Sequence, residues 1–410
     1  MEIEDQEKIE ALIARGVRIP NPHTLELDDD VDVGRISGEG VTIHAGCRLR
    51  GADTAIAAGC TLGAEAPVTL DNCQLGRQVA LKGGFFREAT FLDRANMGLG
   101  AQVREGTLLE EQANGAHTVG LKQTVLLPFV TMGSLINFCD ALLAGGTSRK
   151  DHTEVGSSYI HFNFTPDADK ATASLIGDVP RGVMLNQARI FLGGQGGLVG
   201  PVRIGYGNVI AAGTVYRKDC REEDLLLNAR PLREIKIAHR KRLYPGLWRI
   251  FETNVEYIGN LHALDRWYEH VRRPFFEGWG QGPAVYGGAR ARLAQGIAER
   301  IKRLGALLEI LAGDEQTVVS GQRAALHEKR EEILERLRDP GIAEVGARGR
   351  DAFLAGLEQA RGRTEGGYLA TIQSLDRQLS ASGTAWLQAI VDQIVSGACS
   401  VWPRDEDAKE

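Results

Sequence analysis

Leu192, Leu198, Ile204, Ile210 and Tyr216 stand at steps of six. The residues directly after the first four are Gly193, Val199, Gly205 and Ala211, all small or modest in size. A period of six matches neither the roughly 3.6-residue turn of an α-helix nor the two-residue alternation of a plain strand. It is the pattern of a parallel β-helix built from hexads, in which each coil has three short flat faces. The apolar residue of each hexad points into the shaft, and the small residue beside it lets the chain turn a corner. The 50 glycines suit a fold made of tight corners.

The same rhythm, more ragged, begins near residue 31. Ile43 and Leu49, then Ile56, Leu62 and Val68, then Leu75 and Leu81, then Met97, Val103 and Leu109 each step by six. Steps of five or seven between these runs mark bulges or small loops. The rhythm weakens over 112–190 and returns cleanly at 192–216. Coils of 18 residues predict roughly ten over residues 31–220, which is enough stacking for stability. Residues 1–30 read as a short amphipathic helix carrying Ile3, Ile9, Leu12 and Ile13, broken at Pro20-Asn21-Pro22, and a linker. The shaft is placed at 31–222 and a helical linker at 223–282. An α-helical bundle follows at 283–403. Its evidence is the three-and-four spacing of Leu293, Ile297, Ile301, Leu304, Leu308 and Leu311 and four further apolar runs ending at Ile394. Residues 404–410 form a solvated tail. The predicted class is mainly β with α.

A net charge of −6 argues against a nucleic-acid partner. No apolar run is long enough to span a membrane, and the charged start MEIEDQEKIEALIARG is unlike a signal peptide. A cytoplasmic protein is expected. Cys47, Cys60 and Cys73 recur every 13 residues without a CxxC, and read as small apolar fillers of the shaft.

Three segments carry a family likeness. IEALIARGVRIPNPHTLELDDDVDVG looks like a linker leading into a β-helix, EVGSSYIHFNFTPDADKATASLIGD like a segment around an asparagine–aromatic motif, and FLGGQGGLVGPVRIGYGNVIAAGTVYRKD like final coils. On these, residues 1 to about 232 resemble the acetyltransferase half of a bifunctional bacterial enzyme family that makes UDP-N-acetylglucosamine. That family joins glucosamine-1-phosphate acetyltransferase to N-acetylglucosamine-1-phosphate uridylyltransferase. The resemblance implies a left-handed parallel β-helix and a homotrimer with sites between neighbours. It also implies acetyl-CoA or another acyl-CoA as co-substrate and a sugar phosphate or nucleotide sugar as acceptor. Uridylyl transfer would need a Gly-rich basic loop for a triphosphate; the sequence starts at the linker and shows none, so that reaction is not expected.

Polar residues crowd into GGTSRKDHTEVGSSYIHFNFTPDADK, residues 145–170. Buried without partners, each would cost on the order of a few kcal/mol, so they must be solvated, paired or used. By position, the resemblance makes Asn163 the asparagine that meets the sugar's amino group and Lys170 the lysine that contacts the sugar. It puts Ser157 beside the thioester and Glu154 where the family has a substrate-binding asparagine. Gly194, Ala211 and Ala212 match small residues lining the pantetheine groove. Arg149, Lys150 and Tyr159 complete the expected sugar-binding set. Arg233 and Arg240, in the basic run from Arg230 to Arg242, read either as a grip on the phosphates of coenzyme A or of a nucleotide sugar, or as a solvated helix face.

The family's base histidine falls in GSLINFCD, where this chain has Asn137 or Phe138. An ammonium cannot attack a thioester, so a base is still required. It is sought among His161, His152, Glu154 and Asp140. His161 is placed first because His161 and Asn163, two apart, face the same side of a strand. The mechanism would be direct attack on the thioester, with a backbone N–H holding the oxyanion. Three other readings stay open. One is a non-catalytic nucleotide-sugar-binding or scaffold protein whose helices recruit a protein partner. Another is a metal-dependent hydratase using His117, His152 and His161. The third is a nucleophilic Cys139.

Overall fold

The computed structural model describes residues 3–402 apart from 164, 166, 231, 239–245 and 312–320. The hexad residues do what their spacing predicts. Leu192, Leu198, Ile204 and Ile210 are fully buried. Leu192 pairs in parallel register with Ile210 and Leu198 with Tyr216, one coil further on. The stacked coils form a three-faced shaft, a parallel β-solenoid.

The first face is a ten-stranded sheet from Thr42–Ile43 to Leu226–Leu227. The second and third faces belong to one sixteen-stranded sheet. They join because two eight-residue strands, Val119–Leu126 and Ile136–Leu143, bend around the corner between them. Gln123 and Asp140 make those bends, with φ of 49° and 61°.

The stretch where the repeat weakens has a physical cause. Met132 pairs with Val155 and Val155 with Leu192, so these coils span 23 and 37 residues. The regular coil from Leu192 to Ile210 spans 18. The first insertion is an antiparallel hairpin, Gly146–Ser148 with Asp151–His152. The second follows Phe162 and includes one helical turn, α2 (Val179–Gly182), capped by the Asp178 side chain. Cys47, Cys60 and Cys73 fill the shaft with no exposure. Burial pushes the Cys60 and Cys73 thiols up to about 12.

Helix α1 (Ile3–Ala14) buries Ile9 and Leu12 at the start of the shaft. Past the last coil, residues 232–238 have no regular structure, where the sequence reading placed helix. Ile235 and Ile237 alternate there at strand spacing, which the basic run obscured. The helical region comprises α3 (Leu247–Trp267), α4 (Gly282–Ile310), α5 (Gly321–Glu328), α6 (Arg330–Arg338), α7 (Ala347–Arg363), α8 (Gly367–Gln373) and α9 (Arg377–Cys399). The residues assigned to a linker thus hold α3, which packs on both α4 and α9.

These helices do not hang free. Helix α4 lies on Gln74–Leu75, Ala89–Phe91 and Thr107–Leu109, and α3 lies on Ser174–Ile176. All four strands belong to the third face. Side chains lock the contact: Asn254 Nδ2 donates to the Ala171 carbonyl at 3.0 Å, and Val179 N–H donates to Asn260 Oδ1 at 2.8 Å. One apolar cluster runs from shaft to helices. Among the described residues no helix is long and apolar enough to cross a membrane.

Candidate functional site

The polar crowd of residues 145–170 separates into distinct places. The first is a corner sealed by α4. His161, on the strand Ile160–Phe162, turns into the shaft and is 4% exposed. Its Nδ1 lies 2.6 Å from the Cys139 carbonyl oxygen and its Nε2 lies 2.7 Å from Ser174 Oγ. A carbonyl only accepts, so we assign the proton to Nδ1, and Nε2 accepts from the serine hydroxyl. Ser174 Oγ accepts the Val202 N–H at 3.0 Å. The imidazole stacks 5.6 Å from the Phe138 ring. Burial, only partly offset by the bond to Cys139, holds its pKa down at about 4. With both nitrogens engaged, this histidine has no lone pair to offer a substrate, contrary to its expected role as first-choice base.

Asp140 and Asn163 are engaged as well. Asp140 Oδ1 receives Arg300 Nη2 of α4 at 2.6 Å, and both side chains are buried. Asp140 Oδ2 accepts from Asn163 Nδ2 at 3.1 Å, and Thr172 Oγ1 donates to Asn163 Oδ1 at 3.0 Å. Burial pushes the Asp140 carboxyl up, against the pull of Arg300. Arg300 also reaches the Lys170 carbonyl at 3.5 Å, while Lys170 itself is exposed. Asn163, expected to meet the sugar, and Asp140, a candidate base, instead belong to the network that holds α4 against the shaft.

The second place is the hairpin. Arg149 Nη1 donates to the carbonyls of Gln112 and Phe129 and to Thr131 Oγ1, at 3.0, 2.7 and 2.9 Å. It ties neighbouring coils together, which corrects its expected sugar-binding role. Lys150 is exposed at the hairpin tip. His152 Nδ1 lies 3.0 Å from the Arg149 carbonyl oxygen, and Nε2 lies 3.5 Å from Glu154 Oε2. Both side chains of this pair keep some contact with solvent. Tyr159, expected to bind sugar, is a core residue: it has no exposure and stacks 6.0 Å from Phe138. Its hydroxyl has no partner among the described residues, and burial raises its pKa.

The third place is the edge between the first and second faces, and here the small residues do converge. Ser158 N–H donates to the Ser134 carbonyl, Gln195 N–H to that of Ser157, and Gly213 N–H to that of Gly194, at 2.8, 2.8 and 2.9 Å. Ser157, Gly194 and Ala212 therefore lie at the same corner of successive coils. Close stacking explains the small residues. A Cβ on Gly193 would lie 2.4 Å from the Ala212 nitrogen, and one on Gly156 2.4 Å from the Gly194 nitrogen. Ser157 and Ala212 are exposed; Gly194 and Ala211 are half-buried. Arg233 is exposed beyond the last coil, and Arg240 lies outside the described residues.

Other candidates resolve plainly. His117 is exposed, with Nδ1 3.4 Å from Thr118 Oγ1, so the three histidines keep different company. Among the described residues no group of three or more His, Cys, Asp or Glu side chains is placed to hold a metal. Burial raises the Cys139 thiol, the opposite of an activated nucleophile. The sequence reading missed Arg300, together with Gly288, Arg292, Gln295 and Gly296, which form a stripe along one side of α4. Their helical spacing was visible, but only apolar residues were counted. It also missed that His161 follows Val155 by six and pairs in register with Leu198, a shaft position.

Fold and edge together define a hexad-built parallel β-solenoid with a helical region folded onto one face. No family model matches the chain. The bifunctional proteins GlmU of Thermotoga sp. (strain RQ2) and Thermotoga petrophila are each 26% identical to it over 212 residues, covering 52% of this chain and 42% of theirs. The bifunctional protein GlmU of Pelobacter propionicus is 28% identical over 222 residues, covering 54% of this chain and 43% of its own. The chain spans less than half the length of these relatives. The likeness is weak and covers about half the chain; the parallel solenoid agrees with the left-handed β-helix that the resemblance implies.

Proposed function

We propose that the chain is a transferase of the GlmU kind, acting in the cytoplasm with an acyl-CoA on an amino-sugar phosphate or nucleotide sugar. A homotrimer is part of this reading. The observation that carries it is the open edge at Ser157, Gly194, Ala211 and Ala212. Its small side chains stack across successive coils, which suits a thin pantetheine arm. In this reading the base is the His152–Glu154 pair, because His161 is sealed. The acceptor nitrogen adds to the thioester carbonyl, a backbone N–H holds the oxyanion, His152 takes the proton, and the C–S bond breaks to release the coenzyme A thiolate.

Acetyl-CoA tests this directly. A ligand at a hundred times its Kd stabilises the native state by about 2.7 kcal/mol, enough to raise Tm by a few degrees. Ala212→Trp, at an exposed position, should abolish that shift while leaving the protein folded. His152→Ala should keep the shift and lose transfer. If no acyl-CoA moves Tm, the proposal fails. A second reading, a nucleotide-sugar-binding or scaffold protein with a degenerate site, is favoured by the Asp140–Arg300 seal. Under it a UDP-sugar alone raises Tm and no acyl transfer is found.

A further inference from the structure

A separate cleft of about 370 Å³ opens where the third face turns into the first, between the shaft and the helical region. That volume falls within the roughly 300–1,000 Å³ typical of small-molecule sites. One wall is the shaft corner at Gln78, Arg94 and Gln112; the other carries Phe275, Trp279 and Tyr368.

The charges of the cleft leave one cation over. Arg77 is bonded twice to Asp93. Arg272 is bonded to both oxygens of Glu111, at 2.5 and 3.1 Å. These pairs are neutral. Arg94 donates Nε to Gln78 Oε1 at 2.8 Å and has no carboxylate partner among the described residues. It is exposed at the mouth.

The corner is built on left-handed backbone. Gln78, Arg94 and Gln112 all have left-handed backbones, with φ of 59°, 61° and 60°. They lie in successive coils: Arg94 N–H donates to the Arg77 carbonyl and Gln112 N–H to that of Asp93. One coil earlier the same corner is Gly59, with φ of 74°. Glycine suffices for the turn, but here, as at Asn72, Glu88 and Gln123 elsewhere on the shaft, the left-handed position carries a polar side chain, and at this corner three of them line the cleft.

The helical wall supplies flat π-surfaces. Phe275 and Tyr368 meet edge to face at 5.4 Å, and guanidinium groups already lie over rings: Arg77 at 4.8 Å from Trp279 and Arg272 at 3.6 Å from Tyr368. Alternating guanidinium and ring planes are the stacking chemistry that nucleobases use. We propose that this cleft binds a planar ring carrying an anionic group, the chemistry of a nucleoside monophosphate. The ring lies among Phe275, Trp279 and Tyr368, its edge meets the amides of Gln78 and Gln112, and the anion meets Arg94. The site shares no residue with the open edge and does not rest on acyl transfer.

Calorimetric titration with AMP and UMP tests it, with adenosine and ribose 5-phosphate as half-ligands. The expected result is saturable binding of a nucleotide, at least about tenfold tighter than either half. Arg94→Ala should weaken it about tenfold with Tm unchanged, Arg94→Lys should recover part of the loss, and Trp279→Phe should reduce the accompanying fluorescence change. Absence of saturable binding would overturn the proposal. So would ribose 5-phosphate binding as well as AMP, or an affinity indifferent to Arg94→Ala.

Discussion

His161 shows how burial changes the work a titratable side chain does. Its pKa in the folded protein is about 4, below the 6.5 of an ordinary histidine. Between those values the unfolded chain binds a proton that the native state does not. Its contribution is therefore complete above pH 6.5 and lost as pH falls toward 4, about 3 kcal/mol in all. Glu110 has the opposite sign. It is buried beneath Tyr268, whose hydroxyl donates to it at 2.6 Å, and burial pushes its carboxyl up to about 7. Its contribution is complete below pH 4.5 and lost as pH rises through 7. The two partly cancel, so Glu110→Gln should unmask the histidine. Urea midpoints should then rise from pH 5 to pH 7 more steeply than in the native sequence, and the variant should gain most at pH 8. At the α4 seal, Arg300→Met leaves Asp140 buried without its cation and should cost about 3–5 kcal/mol in urea unfolding. Adding Asp140→Asn should recover part of that cost. The seal was missed because strand parity set His161 and Asn163 on one side without saying that the side was interior. The six-residue step from Val155 to His161 did carry that information.

Among the elements, regular coils were legible and interrupted ones were not. A hexad survives only where nothing is inserted, so the coils of 23 and 37 residues hid their register. The helical character of this region followed from three-and-four spacing, but not every boundary: Leu326 and Leu337 fall on separate helices α5 and α6, and Leu379 belongs with Trp386 on α9. The 232–238 segment was misread because a cluster of basic residues fits a helix face as readily as an irregular stretch. The small residues of the open edge were legible by resemblance, and coil stacking supplies their reason. That reason predicts the outcome of Gly193→Ala. Its Cβ would meet backbone at 2.4 Å, where no side chain can swing away, so neighbouring coils must separate. A loss of at least about 2 kcal/mol in urea unfolding is expected. Gly280→Ala, with nothing within 4 Å, serves as the control and should change little.

The whole molecule uses its three faces unequally. The third is taken by its own helices, so contacts between copies that involve the bare shaft use the other two faces or the ends. Beyond the last coil, Leu232, Ile235 and Ile237 are 74%, 69% and 78% exposed, on a segment with no regular structure. In the homotrimer proposed above, this apolar run is the segment a neighbouring copy would cover. Light scattering after size exclusion should report an oligomer, and Leu232→Asp with Ile237→Asp should shift it toward monomer without changing the unfolding midpoint of the shaft. Helix α4 adds a constraint of a different order. Coils repeat about every 4.8 Å and a helix climbs about 1.5 Å per residue, so some three residues of α4 pass each coil. Gly288 against Gln74 and Arg300 against Asp140 lie twelve residues and four coils apart, which keeps about that pace. A solenoid can ordinarily grow by duplicating a coil anywhere along it. Here a coil gained or lost between residues 74 and 140 would throw every rung out of step with the helix beside it, so the length of this shaft can drift in evolution only at its two ends.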